Sequence, residues 1–576
     1  MKRIIPGKPG LLLLSLNLFT LFLSLQSCNG YHKNGDYSEY IKFEFVDPLE
    51  KVLAEASYFP PMEAISEVVR GENATLQFIV RSPNTIHNLT VKVTQAAQAG
   101  KVLPPAKVGF VGYVKVGRTI WDYSRDRIVS SSGYYPDPVL EQESINVDFG
   151  NTQPVWVSIP IPADAEKGLY KGKITIGGKN GNRNFSVSKE YAVRVYPVTV
   201  QKTSLWVTNW FSIDTAQLKW MNGGKAPEPF SKEHLGLIRT LAKKMAEYRQ
   251  NVALISPLSL SEFTYENGRW TTDFSKFDQV VDIFIQEGVI GRIEGGHIGG
   301  RDSTWFSQFV VMVPTREKVP GKKFENMPIS DPRAQEFYSD FLADLNNHLK
   351  EKGWDKIYMQ HIADEPIAEN IKTYVEISKF VKKIVPEFRI IEACHSKDLG
   401  NMLNIWVPQL NFMDQDYQFY NEQNKGGKEA WFYTCLNPKG EYANRFIELP
   451  LLRTRYLHWV NFKFNIPGYL HWGLNWWNNT DPFGEQTSIQ YEGGNVLPGG
   501  DSWIIYPKDR KLFSSIRYDA MRDGIVDYEL LRMLEKKNPA KAKEIADQII
   551  YTFDRYDNNI EAFRNHRRYL MELLSQ

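Results

Sequence analysis

The sequence predicts a multidomain chain, an N-terminal antiparallel β-sandwich followed by a (β/α)8 TIM barrel with a C-terminal helical extension. Three observations carry this expectation. At 576 residues the chain exceeds one ordinary hydrophobic core. From about residue 40 to residue 200, short segments alternate apolar and polar residues, and helical periodicity is nearly absent. After Val200 the texture changes to strand-like apolar runs separated by amphipathic helical stretches, the pattern of a parallel sheet with helical crossovers.

Residues 1–27 read as an export signal. Lys2, Arg3 and Lys8 precede the apolar run Leu11 to Leu25, which fits a signal peptide better than a membrane span. The run closes at Leu25-Gln-Ser-Cys28, which resembles a bacterial lipobox; Cys28 is then the lipidated N-terminus and residues 28–39 a polar tether. Cys394 and Cys435 remain, both in apolar runs, and read as buried thiols rather than a disulfide framework. No Cys/His cluster stands at metal-ligand spacing, so neither a metal nor any other cofactor is expected. The net charge of +2 gives no reason to expect a nucleic-acid partner.

In the sandwich, residues 40–200, the strands are Thr75 to Val80, Leu89 to Val93, Val155 to Pro160, Gly172 to Ile176 and Tyr191 to Tyr196. Gly71, Pro83-Asn84, Gly168 and Gly177-Gly178 punctuate them. In the barrel, residues 201–576, the strands are Leu205 to Trp210, Val252 to Ile255, Arg292 to Gly295, Ile357 to His361, Arg389 to Ala393, Ile405 to Val407, Trp431 to Cys435 and Tyr469 to Trp472. Helices are expected over 232–250, 274–288, 331–354 (opening on Asp-Pro as cap and first residue), 371–385 and 447–464. From Ser514 onward the chain reads as wholly helical, with an eighth barrel helix at 515–535 and two further helices outside it.

The fourth barrel strand stops at Ile362-Ala-Asp364-Glu365-Pro366. Pro366 removes a donor and biases Glu365 away from helical geometry, so two adjacent carboxylates stand at a strand end, where barrels collect catalytic groups. At about 5–6 Å and an effective dielectric near 20 their repulsion costs roughly 3 kcal/mol, enough to raise one pKa by about two units. One carboxyl held as an acid beside one held as an anion is the usual division of labour in sugar cleavage.

This pair, the segment Val155 to Gly172 and the segment Ser515-Ile-Arg-Tyr-Asp-Ala-Met-Arg-Asp-Gly-Ile-Val-Asp-Tyr-Glu529 resemble glycoside hydrolase family 123, over roughly residues 40–534. The resemblance implies a retaining exo-β-N-acetylgalactosaminidase, with terminal β-linked N-acetylgalactosamine of glycans or glycolipids as its partner. It also suits an exported lipoprotein, anchored at the periplasm or surface of a Gram-negative bacterium. By the same resemblance the sugar's 2-acetamido oxygen attacks the anomeric carbon to give an oxazolinium. Glu365 is then general acid and later base, and Asp364 is the anion that orients the acetamido N–H. Adjacent carboxylates project from one strand end and straddle a scissile bond poorly; a nucleophile supplied by the substrate removes that demand.

Other strand ends supply pocket walls. His297 lies in the polar loop Gly295 to Asp302 after the third strand, and Asn209 and Trp210 end the first. Asp416 and Tyr417, after the sixth strand, are candidates for ring hydroxyls or the acetamido carbonyl, and Tyr433 lies on the seventh. Trp472, Asn475, Trp476 and Trp477 follow the eighth and suit a hexose floor. Arg517, Arg522, Asp523 and Asp527 read as a salt-bridged brace under the barrel. Three alternatives stay open: an N-acetylglucosaminidase, another β-glycosidase of the same barrel, and a non-catalytic glycan-binding lipoprotein. Retention of both carboxyls argues against the last.

Overall fold

The computed structural model describes residues 40–60, 62–117, 132–319, 322–477, 480–489 and 496–576. The expected signal, Cys28 and the tether fall outside the described residues. Among the described residues no helix is long and apolar enough to cross a membrane.

The described residues of 42–200 form two facing sheets without a helix. The first runs antiparallel in the order Lys42–Val46, Asn73–Arg81, Thr152–Pro160, Lys107–Val116, Gly133–Leu140. The second is built on the long hairpin Gly168–Asn180 and Arg183–Thr199, extended by Ile86–Val93 and Ser144–Val147. Phe43, Phe78, Val155, Ile174 and Val193 meet in the core between them. One edge corrects the expectation of a purely antiparallel arrangement, because Ile65–Arg70 pairs parallel to Arg183–Thr199. The chain turns at Gly71 (φ 80°) directly into Asn73–Arg81 of the other sheet. The direction of that edge strand is therefore set by a change of sheet rather than by a hairpin. Gly177-Gly178 is not a turn either. It sits inside Gly168–Asn180 at a register shift, and a Cβ on Gly178 would stand 2.9 Å from the His87 carbonyl.

The remainder contains a six-stranded and a three-stranded parallel sheet. In chain order the strands are Trp206–Asn209, Val252–Leu254, Arg292–His297, Tyr358–His361, Arg389–Cys394, Ile405–Pro408, a seventh broken into Glu429–Ala430 and Phe432–Tyr433, and Gly468–His471. Each overlaps its expected strand, with ends displaced by one to two residues. The seventh breaks at Trp431, whose ring lies against Gly468 so closely that a Cβ there would be 2.2 Å from it. Trp206–Asn209 and Phe432–Tyr433 both pair with Gly468–His471, and Asn251 N donates to Val207 O (3.3 Å).

Helices Lys232–Glu247, Ser275–Gln286, Pro332–Lys352, Ile371–Ile384, Leu451–Lys463 and Ile516–Lys537 alternate with the strands. Asp331 accepts from Arg333 N and Pro332 opens its helix, as the Asp-Pro pair predicts. Leu451–Lys463 is buried along almost its whole length, because Ile516–Lys537, Pro539–Ile549 and Ile560–Ser575 cover its outer side. The brace is present and wider than the sequence suggested. Asp527 accepts from Arg455 Nε (2.7 Å) and Arg567 Nε (2.7 Å), tying the last helix to Leu451–Lys463. Arg517 forks onto Asp137 in the N-terminal part, with both N–O distances 2.7 Å. Arg522 pairs with Asp523 at 2.8 Å.

Candidate active site

The fourth strand, Tyr358–His361, is wholly buried, and Asp364 and Glu365 follow it in the turn at its C-terminal end. Glu365 is not helical, as Pro366 predicts, but it is left-handed (φ 46°) rather than extended. Holding a non-glycine residue there costs on the order of 1–3 kcal/mol. Arg301 offsets this by donating from Nη2 to the Glu365 carbonyl (2.8 Å), while its Nε donates to Trp305 O (2.9 Å). Arg301 comes from an antiparallel excursion, Gly299–Arg301, Phe309–Val319 and Lys322–Met327, inserted after the third strand.

The two carboxyls have unlike surroundings. Glu365 Oε1 accepts from His395 Nε2 (3.1 Å) and from the Tyr433 hydroxyl, which also meets His395 Nε2 (2.8 Å) and Gln409 Nε2 (3.2 Å). Among the described residues nothing hydrogen-bonds Glu365 Oε2 or the Asp364 carboxyl. His297 Nε2 stands 4.0 Å from Asp364 Oδ1, beyond hydrogen-bond range. Partial burial raises both acids, and their mutual repulsion raises Asp364, whose side chain is still 46% exposed, further, to about 6. His395, Tyr433 and Arg301 overcome burial at Glu365 and pull it below the usual glutamate range. The unlike surroundings thus push the two acids apart, Asp364 up and Glu365 down.

Behind the pair lies a second tier that the sequence did not reveal. Glu392, fully buried on the fifth strand, accepts at Oε1 from His297 Nε2 (3.1 Å) and His361 Nδ1 (2.9 Å). Its Oε2 accepts from the backbone of Ile362 (2.8 Å) and Ala363 (3.1 Å). Burial alone would raise Glu392, but His361 and His297 hold it down to about 2. Burial likewise pulls His297 down, and Glu392 with Asp364 more than reverses it. Gly296 (φ 72°) makes the turn that aims His297 at this carboxylate. Glu294, on the third strand, accepts from the Trp210 indole (2.8 Å) and Thr208 (3.3 Å), and burial raises it. Glu294 Oε1 and His361 Nε2 are buried with no hydrogen-bond partner among the described residues, His361 Nε2 standing 4.0 Å from Glu294 Oε2.

His297, His361 and Glu392 offer ligand atoms within 4.8 Å of one another, a grouping that the sequence reading of metal spacing did not find. As arranged, both rings bond to one carboxylate oxygen and two backbone amides hold the other, so an ion could bind only by displacing these bonds.

The remaining expected residues divide. Tyr433 and His297 join the carboxyl pair. Trp472 packs in the cluster that contains Tyr433, its indole donating to buried Asp501 (3.3 Å), which burial pushes to about 7. Trp476 lies 6.5 Å from Trp472. Asn475 does not face the carboxyls: it clamps the loop after the first strand through Ser212 N and O, both at 2.8 Å. Trp477 is fully buried and donates to Ile505 O (3.1 Å). Asp416 is tied up by Lys397 (2.6 Å). Tyr417 points into the outer helical layer, donating to Phe464 O (2.9 Å) with its ring against Phe464 and Phe553. The segment after the sixth strand is two helices, Leu410–Gln415 and Tyr417–Lys425, whose turns direct these side chains away from the strand ends. Cys394 and Cys435 are buried free thiols.

Residues 225–534 match a family model described as "Glycoside hydrolase 123, catalytic domain", and residues 63–178 match "Glycoside hydrolase 123 N-terminal domain". Curated proteins give no match. Among solved structures, a family 123 glycoside hydrolase from Clostridium perfringens, studied for glycolipid glycan hydrolysis, superposes with TM-score 0.69 at 15% identity. The match covers 93% of this chain and 97% of that chain, a likeness of fold. An FMN-binding β-glucuronidase from Facaelibacterium prausnitzii L2-6 gives TM-score 0.30 at 10% identity, over 81% of this chain and 60% of that one. That similarity is too low to bear on the fold.

Proposed function

The chain belongs to glycoside hydrolase family 123 and is a glycoside hydrolase; from that premise we propose that it is a retaining exo-β-N-acetylgalactosaminidase that uses the substrate's own 2-acetamido group as nucleophile. The observation that carries this reading is the asymmetry of the adjacent pair. Glu365 is gripped at Oε1 and open at Oε2, whereas Asp364 has no hydrogen-bond donor among the described residues. A partly exposed carboxylate short of one donor is what an acetamido N–H would complete.

Binding then reverses the order of the two acids. An N–H on Asp364 stabilises its ionised form, and the proton passes to Glu365, where the neighbouring anion now helps to retain it. Glu365 Oε2 protonates the leaving oxygen as the acetamido oxygen attacks the anomeric carbon. Asp364 offsets the positive charge that develops on the oxazolinium nitrogen. Glu365, now ionised, takes a proton from the water that opens the ring and restores the β-configuration. Trp210, Trp472 and Tyr433 would wall the sugar site.

We extend the reading to architecture and address. The two parallel sheets share the broken seventh strand and approach again between Asn251 and Val207, which supports one closed (β/α)8 barrel behind a β-sandwich. The lipobox at Cys28 supports a membrane-anchored lipoprotein, and glycolipid glycan hydrolysis by the Clostridium perfringens protein supports glycolipid or glycan ends as substrate. The test is release from 4-nitrophenyl β-glycosides of N-acetylgalactosamine, N-acetylglucosamine and galactose, with the anomer of the first product read by proton NMR. Release from the first alone, as the β-anomer, is expected. Equal turnover of the galactoside, or an α-anomer, would overturn the reading.

A further inference from the structure

Trp305 and Phe306 are adjacent large apolar residues left open to solvent, with relative exposures of 42% and 63%. Exposed aromatics in sequence call for an occupant when their position is fixed, and here it is. The Arg301 guanidinium lies 3.8 Å over the Trp305 ring, and the Trp305 carbonyl accepts from Arg301 Nε (2.9 Å). Arg301 in turn donates to the Glu365 carbonyl (2.8 Å). The Trp305 ring also lies 6.0 Å from the His395 ring, centroid to centroid, and His395 Nε2 is 3.1 Å from Glu365 Oε1. The indole is thus held in register with the Glu365 carboxyl from two directions.

Asp364 faces the other way, toward His297, with Trp210 against His297 at 5.6 Å. If the acetamido sugar lies on the Asp364 side, the bond that Glu365 protonates leads out on the His395 and Trp305 side. We propose that Trp305, with Phe306 beside it, is the platform on which the first sugar ring of the leaving group stacks, making the enzyme selective for substrates whose leaving group is a carbohydrate. The apolar face of a hexose covers the open indole, and Arg301 backs that indole while pinning the strained Glu365 peptide. Occupation of the platform and alignment of the acid are coupled through one guanidinium. The inference rests on the reading of Glu365 as the acid.

The experiment compares two substrates of the same donor sugar: a β-linked N-acetylgalactosaminyl-galactose disaccharide and β-N-acetylgalactosaminyl fluoride, whose leaving group fills no platform. Trp305→Ala should lower kcat/KM on the disaccharide by about tenfold or more and leave the fluoride within about twofold, and Trp305→Phe should restore most of the loss. In a Glu365→Gln background, Trp305→Ala should weaken binding of the disaccharide and leave that of free N-acetylgalactosamine unchanged. Equal losses on both substrates, or none on the disaccharide, would overturn the platform while leaving the proposed activity intact. A wild-type protein inert on both would instead overturn the proposed activity and the platform with it.

Discussion

Two sets of buried charges in this molecule are handled in opposite ways. In the brace, Asp527 takes Arg455 and Arg567, and Arg517 takes Asp137, through forked bonds near 2.7 Å. In the site, Asp364 is raised and Glu365 lowered, Glu294 Oε1 and His361 Nε2 lack hydrogen-bond partners among the described residues, and Glu365 carries a positive φ. A satisfied network fixes where the domains and outer helices sit. An incompletely satisfied one can exchange protons and accept a ligand's donors, and the fold around it bears the strain.

Removing one carboxyl from each set should break different properties. Glu365→Gln is expected to cost about 10²–10⁴ in kcat/KM on glycans with sugar leaving groups. The loss should be far smaller on activated aryl glycosides, with the melting temperature nearly unchanged. Full activity on glycans would remove Glu365 from the mechanism. Asp527→Asn should do the reverse. It leaves Arg455 and Arg567 buried beside a neutral amide, at a cost of about 3–5 kcal/mol of stability by denaturant titration. kcat/KM should be preserved below the melting transition, and a shifted pH profile would show that brace and site are not separate.

Asp364→Asn belongs between these. It should lower kcat by about 10²–10³ on acetamido substrates, the scale of losing one charge-stabilising group. It should also slightly stabilise the protein, by an amount that depends on pH. Because the folded Asp364 is raised to about 6, its protonated form contributes stability that is present below the unfolded value near 4 and is lost as pH rises toward 6. The carboxyl is 46% exposed and solvent screens the effect, so the variant should melt no more than about 1 °C above wild type at pH 7 and alongside it at pH 4. A variant less stable at both pH values would contradict the assignment of that proton.

The smallest effect is in the wild-type pH profile. The free pair loses its last proton near pH 6, so kcat/KM should fall above about that value. The corresponding limb of kcat should lie higher, because bound substrate has moved the proton to Glu365. Coincident limbs would mean that binding does not redistribute it.

Much of the fold was legible because strand and helix periods differ and the strands are short and apolar. Asp364 and Glu365 stood out because a strand ended on two like charges before a proline. Glu392 and His395 did not, since one lies inside the apolar run Ile390 to Cys394 and the other just past it, and their meaning comes only from the neighbouring strands. Tyr417 stands just after the sixth strand in sequence, but the helix Tyr417–Lys425 that it opens turns its side chain to the outer layer, which only the three-dimensional packing decides. The parallel edge at Ile65–Arg70 was hidden because period-two alternation carries no strand direction.

The proposed mechanism turns on whether the substrate's acetamido oxygen is the nucleophile that Asp364 orients. The direct measurement is kcat/KM for a series of 4-nitrophenyl β-glycosides whose N-acetyl group carries zero, one, two and three fluorines. Each fluorine weakens that oxygen while leaving the aglycone and the sugar hydroxyls untouched. A steep decline with each fluorine is predicted; a flat series would mean that the protein supplies the nucleophile, and the reading of Asp364 would fall.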